Sequence, residues 1–196
     1  VTGSEKNVSS AYRSGTPAIG VGVGNVAVII DETADISSCA RKIVTSKTFD
    51  NATSCSSENS LVILDEVYEN ALEALQKEGG VLLDDGETQE LKNNLWIQGK
   101  LNPHLIAKSA SEIATAVGLQ RKQIKKAKML MVKETGTGKE YPFSGEKLSP
   151  ILTIYREDNF KSACQKIIEL YEFQGKGHSV GLHSKDETRP LEMALK

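Results

Sequence analysis

Cysteine is scarce in this sequence, with three residues among 196. None of the three belongs to a C-x-x-C pair and no secretory signal is recognisable, so a disulfide framework is excluded and free thiols are expected. The histidines and cysteines also lack the spacings that bring two ligands to one ion, so no metal site is expected. These absences favour a reducing, cytoplasmic setting.

Long apolar runs and aromatic residues are also few. No run approaches the roughly 20 residues of a membrane-spanning helix, so a membrane role is not expected. Aromatic residues make up 5% of the chain and the net charge is −2. Without stacking platforms or a positive balance, nucleic acid is not an expected partner, and the basic run "QRKQIKKAK" at 120–128 is interpreted as a solvated surface.

What is present suits one globular α/β domain with 39% hydrophobic and 26% charged residues. Short apolar or β-branched runs predict strands at 25–30, 61–64, 129–132, 151–155 and 178–183. Apolar residues at helical spacing predict helices at 35–47, 68–78, 87–96, 109–118 and 160–173. This alternation predicts a mostly parallel sheet flanked by helices.

Ligands of such sheets gather at the carboxyl ends of the strands. Three loops are candidates for this position: the loop that holds Cys55, the segment "YPFSGEKLSP" before strand 151–155, and the turn "FQGKGH" before the last strand. We therefore expect these loops to meet at the carboxyl edge of the sheet.

The three cysteines differ in their surroundings. Cys39 and Cys164 stand on apolar stripes at helical spacing, which predicts that both are buried on helix faces. Cys55 stands instead in "TFDNATSCSSENS", among small polar residues directly before an apolar strand. Such a niche is typical of a reactive thiolate, although a structural thiol is the alternative. Glu58, three residues on, is a candidate base or a turn residue.

The glycines of "IGVGVGN" do not form a dinucleotide-binding fingerprint. Gly20, Gly22 and Gly24 precede a strand instead of following one into a helix, so the phosphate-binding geometry is missing. We interpret them as places where the backbone approaches another group closely.

Taken in order, several segments resemble the aldehyde dehydrogenase superfamily in its CoA-acylating branch. The resemblance runs from "VTGS" through "SGTPAIGVGVGNVAVIIDETADI" to "SKTFDNATSCSSENSLVI", followed by "PFSGEKLSPILTIY" and "GKGHSVGLHS". It implies a Rossmann-like catalytic domain, NAD or NADP as cofactor, coenzyme A as co-substrate, and a homo-oligomeric parent enzyme that acts on an aldehyde. The wording "DNATSCSSENS" is most similar to the sulfoacetaldehyde dehydrogenase branch, with other short aldehydes close behind.

The resemblance also implies roles for individual residues. Cys55 matches the nucleophile that forms a thiohemiacetal and then a thioester, and its backbone N–H is a candidate oxyanion donor. Glu146 matches the glutamate that holds the nicotinamide ribose, and Gly3 and Ser4 match a turn beside the cofactor. His178 matches a histidine that orients or deprotonates the thiol of coenzyme A.

One position predicts which product forms. Val21 stands 34 residues before Cys55, where hydrolytic members of the superfamily have a glutamate that activates water. Loss of such a general base costs about 10²–10⁴-fold in rate, so the thioester should persist until coenzyme A attacks it.

Two alternatives stay open. A non-acylating aldehyde dehydrogenase would release free acid without coenzyme A, and a non-catalytic binding or assembly module would keep the fold with an unreactive Cys55. The resemblance implies that residues 1–20 are the end of a cofactor-binding domain and that residues 21–196 are a catalytic domain truncated at its C-terminus. "VTGS" is then predicted to be the end of a strand with its turn, and the isolated chain is expected to be inactive.

Overall fold

The structure is a computed structural model that describes residues 1, 3, 5–20 and 22–195. The helices are α1 (Glu5–Arg13), α2 (Ile36–Thr48), α3 (Tyr68–Lys77), α4 (Asp85–Leu95), α5 (Ala110–Ala116), α6 (Phe160–Phe173) and α7 (Arg189–Ala194). The strands are β1 (Val26–Ile30), β2 (Glu58–Leu64), β3 (Gly80–Leu82), β4 (Trp96–Ile97), β5 (Lys100–Leu101), β6 (Met129–Lys133), β7 (Ile151–Glu157) and β8 (Val180–His183).

Six of these strands form one sheet in the order β3-β6-β7-β2-β1-β8, and every neighbouring pair is parallel. The predicted parallel α/β sheet is thereby confirmed. In its centre, Val28 of β1 pairs with Leu61 of β2 on one side and with Gly181 of β8 on the other. A separate antiparallel hairpin joins β4 and β5.

The core lies on both faces of this sheet. Met129 and Met131 of β6 pack into a cluster with α2, α3 and α6, whereas Leu130 and Val132 pack into a second cluster with α4 and α5. Successive residues of a strand point to opposite faces, so the continuous apolar run of β6 supplies both clusters.

All five predicted strands and all five predicted helices are present, with ends shifted by a few residues. Helix α4 begins at Asp85 because the Asp84 side chain accepts from the Glu87 backbone and the Glu87 side chain accepts from the Asp84 backbone. The short strands β3, β4 and β5 were missed, since two or three residues carry too little pattern to detect.

The reading of "VTGS" as a strand end is not supported. Val1 and Gly3 lie outside any strand, and helix α1 begins directly afterwards at Glu5. It is Gly20 that packs on α1, where its backbone N–H donates to the Tyr12 hydroxyl at 3.0 Å. The division of the chain at residue 20 stays a prediction.

Within the described residues, no helix is long and apolar enough to cross a membrane.

Candidate active site

Three of the residues predicted for the site, Cys55, Glu146 and His178, lie at the amino-terminal edge of the sheet. Cys55 precedes β2, Glu146 precedes β7 and His178 precedes β8, and the order β7-β2-β1-β8 makes these strands close neighbours. Adjacent strands are about 4.8 Å apart, so the loops converge. The expected carboxyl edge was wrong, because each loop runs into its strand and such segments share the amino edge of a parallel sheet.

A left-handed turn leads the chain from α2 to the candidate nucleophile. Three consecutive non-glycine residues have positive φ angles: Asp50 at 47°, Asn51 at 50° and Ala52 at 59°. The Thr53 backbone N–H and hydroxyl both donate to the Asp50 carbonyl, at 3.1 and 2.9 Å. Left-handed backbone at Ala52 is strained, and strain of this kind concentrates at functional sites.

The thiol of Cys55 is exposed, whereas Cys39 and Cys164 are buried, as the sequence predicted. The loop around Cys55 is closed by a turn in which the Ser57 backbone N–H donates to the Ser54 carbonyl at 3.0 Å. The backbone N–H of Cys55 has no hydrogen-bond partner among the described residues. Within the part of the chain that the structure describes, neither the thiol nor this N–H is bonded to another group.

Gly24 lies where the candidate nucleophile, Cys55, and the acid Glu146 approach each other. A Cβ atom at Gly24 would lie 2.6 Å from the Cys55 carbonyl oxygen, 3.1 Å from the Cys55 Cβ and 3.0 Å from Glu146 Oε1. Only a residue without a side chain fits between them. The predicted close approach of the backbone is confirmed at Gly24, whereas a Cβ at Gly22 would meet nothing within 4 Å.

Burial raises the pKa of the Glu146 carboxyl to about 7, against the opposing positive charges of Lys147 and Lys47. The backbone N–H of Glu146 donates to Gln174 Oε1 at 2.9 Å, which fixes the loop. Glu146 therefore changes its charge near neutral pH, and its ability to accept hydrogen bonds as a carboxylate changes with it.

Two fully buried lysines lie behind this acid. Lys147 Nζ donates to the Phe143 and Gly145 carbonyls at 2.7 and 2.8 Å, whereas Lys47 Nζ has no hydrogen-bond partner in the described part of the chain. Burial lowers the pKa of Lys47 to about 7, although the charges of Glu58 and Glu146 oppose this.

Sequence reasoning missed both lysines. The signal for Lys47 was its spacing, since it follows Ile43 by four positions and Val44 by three, on the apolar face of α2. Glu58 opens β2, and its Oε2 is buried without a hydrogen-bond partner among the residues that the structure describes. Its proposed role as a base stays a prediction.

Asn25, also missed, ties three parts of the site together. Its Nδ2 donates to the Ser144 carbonyl at 2.9 Å and to the Gln174 carbonyl at 3.2 Å. The turn after α6 also approaches Asn25 closely. A Cβ added at Gly175 would lie only 2.8 Å from the Asn25 Cβ. Asn25 thereby anchors the Glu146 loop and the turn before β8 to the start of β1.

His178 lies on that turn, with its backbone N–H donating to the Gly175 carbonyl at 3.0 Å. Its Nδ1 accepts from the Ser179 backbone N–H at 2.8 Å. In the neutral ring the proton then stands on Nε2, which makes His178 a hydrogen-bond donor at that atom. It shares the edge of the sheet with Cys55, on a strand two places away.

Of the three remaining predicted residues, the structure describes only Gly3. Gly3 lies beside α1, where a Cβ would be 3.5 Å from the Asn7 side-chain nitrogen. Its predicted cofactor contact stays a prediction. Ser4 and Val21 lie outside the described residues.

An open cleft of about 1020 Å³ reaches Glu146 from the side of the β4–β5 hairpin. Its wall carries three lysines, Lys92, Lys100 and Lys139, and the indole of Trp96. The Trp96 ring is held edge-on by Phe143, with 4.8 Å between the ring centroids. A positively charged cleft with an aromatic wall suits a ligand that carries phosphates and a flat base.

Metal ligands do not assemble in this part of the molecule. Over residues 1, 3, 5–20 and 22–195, no group of three or more histidine, cysteine, aspartate or glutamate side chains could hold an ion.

No family model matches the chain. Among curated proteins, it is 51% identical over 192 residues to the acylating sulfoacetaldehyde dehydrogenase of Cupriavidus necator, covering 98% of this chain and 39% of that protein. It is 35% identical over 187 residues to the acetylating succinate-semialdehyde dehydrogenase of Clostridium kluyveri, covering 95% of this chain and 41% of that protein. The chain thus spans about two fifths of the length of these relatives.

Solved structures agree. An acetylating aldehyde dehydrogenase from Geobacillus thermoglucosidasius superimposes with a TM-score of 0.95 at 38% identity, covering 100% of this chain and 43% of that one. A propionaldehyde dehydrogenase from Rhodopseudomonas palustris with bound propionyl-CoA gives a TM-score of 0.85 at 27% identity, covering 98% of this chain and 42% of that one. The predicted Rossmann-like fold of these enzymes is confirmed, and so is the predicted resemblance of the chain to part of the acylating aldehyde dehydrogenases.

Proposed function

We propose that the protein oxidises a short aldehyde to an acyl-CoA, with NAD or NADP as hydride acceptor and Cys55 as nucleophile. One observation carries the proposal: the exposed Cys55 and the carboxyl of Glu146 both approach the Cβ-free backbone of Gly24. The nucleophile and the predicted nicotinamide-holding acid are thereby brought to one point, although 91 residues separate them in the sequence.

The first step belongs to Cys55. Its thiolate attacks the aldehyde carbonyl carbon, the carbonyl electron pair moves to oxygen, and the backbone N–H of Cys55 donates to the resulting oxyanion. Loss of one such donor costs about 10²–10³-fold in rate. When a nicotinamide nucleotide is bound, it accepts the hydride that leaves the substrate carbon, and a thioester remains on Cys55.

The residues around the cleft fit such a cofactor. Ionised Glu146 can accept hydrogen bonds from two ribose hydroxyls, and Lys92, Lys100 and Lys139 can neutralise phosphates along the wall. Because the pKa of Glu146 is about 7, its carboxylate form becomes more populated as the pH rises through neutrality, and its hydrogen bonding to the ribose strengthens.

In the second step, the thiolate of coenzyme A attacks the thioester carbonyl and the Cys55 thiolate leaves. His178 supports this step as a donor from Nε2, which stabilises a thiolate or a developing oxyanion nearby. Water competes poorly, because Val21 stands where a hydrolytic enzyme has its general base.

Sulfoacetaldehyde is the first substrate that we propose, with other short aldehydes as alternatives. Support comes from the wording around Cys55 and from the 51% identity to the sulfoacetaldehyde dehydrogenase of Cupriavidus necator. We further propose that the protein is a homo-oligomer and that it works in the cytoplasm, where a reduced, exposed thiol such as that of Cys55 persists.

The test separates products by liquid chromatography after reaction of the full-length protein with aldehyde and nicotinamide nucleotide, with and without coenzyme A. We expect acyl-CoA in its presence and only slow release of acid in its absence, and no turnover by Cys55→Ala. Rapid acid formation without coenzyme A would replace the proposal with a hydrolytic dehydrogenase. Full activity of Cys55→Ala would contradict the role of Cys55.

A further inference from the structure

A second groove, of about 440 Å³, borders the nucleophile loop on the side of α2. Ser54 and Ser56, the two neighbours of Cys55 in the chain, both line it, as does Ser57. We call it the serine groove. A ligand in it would lie beside the loop that carries Cys55, and the groove shares no lining residue with the cleft at Glu146.

The charges of the serine groove have one sign. Arg41 and Lys42 line it from α2, and its described lining residues include no aspartate or glutamate. Both cations are exposed and neither forms an ion pair with any residue that the structure describes. The groove therefore presents uncompensated positive charge to whatever enters it.

Hydroxyl groups supply the remaining polar surface. Ser57 is 3% exposed, and its Oγ has no hydrogen-bond partner in the described ranges. Buried polar groups normally have partners, so a free hydroxyl here indicates an unsatisfied donor. Ser46 on α2 and the Ser54–Ser56 hydroxyl pair, 2.8 Å apart, add further donors.

One wall is apolar. Phe49 follows α2 directly, lines the groove and is 70% exposed, an unusual exposure for so large an apolar side chain. A short carbon chain packed on this ring would place its two ends in different surroundings, one toward the thiol and the other toward the cations.

We propose that the serine groove binds the anionic end of an aldehyde substrate, a sulfonate or a carboxylate, and that Arg41 is its main charge partner. This inference rests on the proposed function. A guanidinium with several hydroxyl donors matches the three oxygens of a sulfonate or the two of a carboxylate. Arg41 and Lys42 thus determine specificity for charged over neutral aldehydes.

Binding is tested first without turnover, on the chain itself. The rate at which iodoacetamide alkylates Cys55 is measured by peptide mapping with increasing ethanesulfonate, propionate or the neutral ethyl methyl sulfone, at constant ionic strength set with chloride. We expect both anions to slow alkylation and the sulfone to leave it unchanged. Arg41→Gln should raise the half-protecting concentration by about tenfold, the loss expected for one charge-assisted contact.

Arg13→Gln is the matched control, since Arg13 is an exposed arginine on α1, outside the residues that line the groove. In Arg13→Gln, the anions should slow alkylation of Cys55 at the same concentrations as in the wild-type chain. Equal protection by the neutral sulfone, or unchanged protection in Arg41→Gln, would overturn the anion site. Stronger protection by ethanesulfonate than by propionate would identify sulfonate as the preferred group.

Turnover then separates this inference from the proposed function. In the full-length protein, Arg41→Gln should lower kcat/KM for sulfoacetaldehyde and succinate semialdehyde about tenfold and leave that for acetaldehyde within about twofold. Anion protection without acyl-CoA formation from any aldehyde would remove the proposed function and keep the groove. If acyl-CoA forms but Arg41→Gln lowers kcat/KM equally for charged and neutral aldehydes, the proposed function stands and the anion site is overturned.

Discussion

At the residue scale, the site is built on two positions that break ordinary rules. Gly24 has no side chain because the Cys55 carbonyl oxygen and the Glu146 carboxylate already occupy the space. Lys47 places an ammonium group where the apolar face of α2 would accept Leu or Met. Residues that reduce local stability in this way are typical of functional sites.

Gly24→Ala should displace the nucleophile loop, because backbone atoms at 2.6 Å cannot move aside as a flexible side chain can. We expect a loss of about 1–3 kcal/mol in the free energy of unfolding, measured by urea denaturation. Turnover should fall on the order of 100-fold, since a shift of about 1 Å in a reacting group has that effect.

Gly22→Ala is the matched control two residues earlier. A Cβ there meets nothing within 4 Å and the φ angle is not in the left-handed region, so stability should stay the same or rise by a few tenths of a kcal/mol. If both alanine variants behave alike, the contact of Gly24 with Cys55 does not matter.

Lys47 should make stability depend on pH. Its pKa of about 7 in the fold lies below the value of about 10.4 in the unfolded chain. Between these values the unfolded chain binds more protons at Lys47, so the contribution of Lys47 makes wild-type stability rise with pH. Lys47→Met lacks this contribution, and its stability relative to wild type should fall as the pH increases from 7.5 to 10, measured by urea denaturation.

Lys147→Met provides the contrast. The side-chain nitrogen of Lys147 donates to two buried carbonyls, and its removal leaves both without this donor. We expect destabilisation of about 2–4 kcal/mol at pH 7.5. The difference in unfolding free energy between Lys47→Met and wild type should change from pH 7.5 to 10. If it stays constant, Lys47 is not desolvated as the structure indicates.

At the element scale, the left-handed turn after α2 determines where Cys55 stands. Helix α2 ends at Thr48, and the turn through Ala52 reverses the path of the chain before β2. Asp and Asn tolerate positive φ angles, but an alanine does so at a cost of about 1–2 kcal/mol. The Asp-Asn pair in "TFDNATSC" was a visible turn signal, whereas the third left-handed residue was not.

Ala52→Gly should therefore raise the free energy of unfolding by up to about 1 kcal/mol, as relief of strain exceeds the added freedom of the unfolded chain. The same substitution at Ala71, buried in α3, should lower it by about 1 kcal/mol. Calorimetric melting of both variants shows whether each substitution raises or lowers the free energy of unfolding. A loss of similar size at both positions would mean that Ala52 carries no strain.

At the scale of the whole molecule, the site depends on segments that are distant in the sequence. Asn25 holds the carbonyls of Ser144 and Gln174, which are 119 and 149 residues away. These bonds fix the loop of Glu146 and the turn of His178 against β1. The site is therefore a property of the folded domain and of no single segment.

Asn25→Ala should lower the free energy of unfolding by about 1–3 kcal/mol, because one buried and one partly buried carbonyl lose their donor. Asn93→Ala, an exposed change on α4, should alter it by less than about 0.5 kcal/mol. Urea denaturation with tryptophan fluorescence measures both. Equal stability of the two variants would contradict the anchoring role of Asn25.

The amino-acid sequence by itself predicted five strands and five helices that the structure contains, and it singled out Cys55 as the candidate nucleophile. Continuous apolar runs separated by helical patterns predicted the parallel sheet, because a strand buried on both faces needs apolar residues at every position. The polar niche around Cys55 distinguished it from Cys39 and Cys164, whose helical spacing placed them in the core. These features are local, so a one-dimensional pattern contains them.

Only the tertiary structure decided which edge of the sheet carries the site and which residues meet there. Parallel pairing places the segments before β7, β2, β1 and β8 side by side at the amino edge, and pairing is a long-range property that local patterns do not record. Gly24, Asn25 and Lys47 gain their roles from neighbours that arrive from elsewhere in the chain. Their contacts, burial and shifted pKa values exist only once distant segments pack together and exclude water.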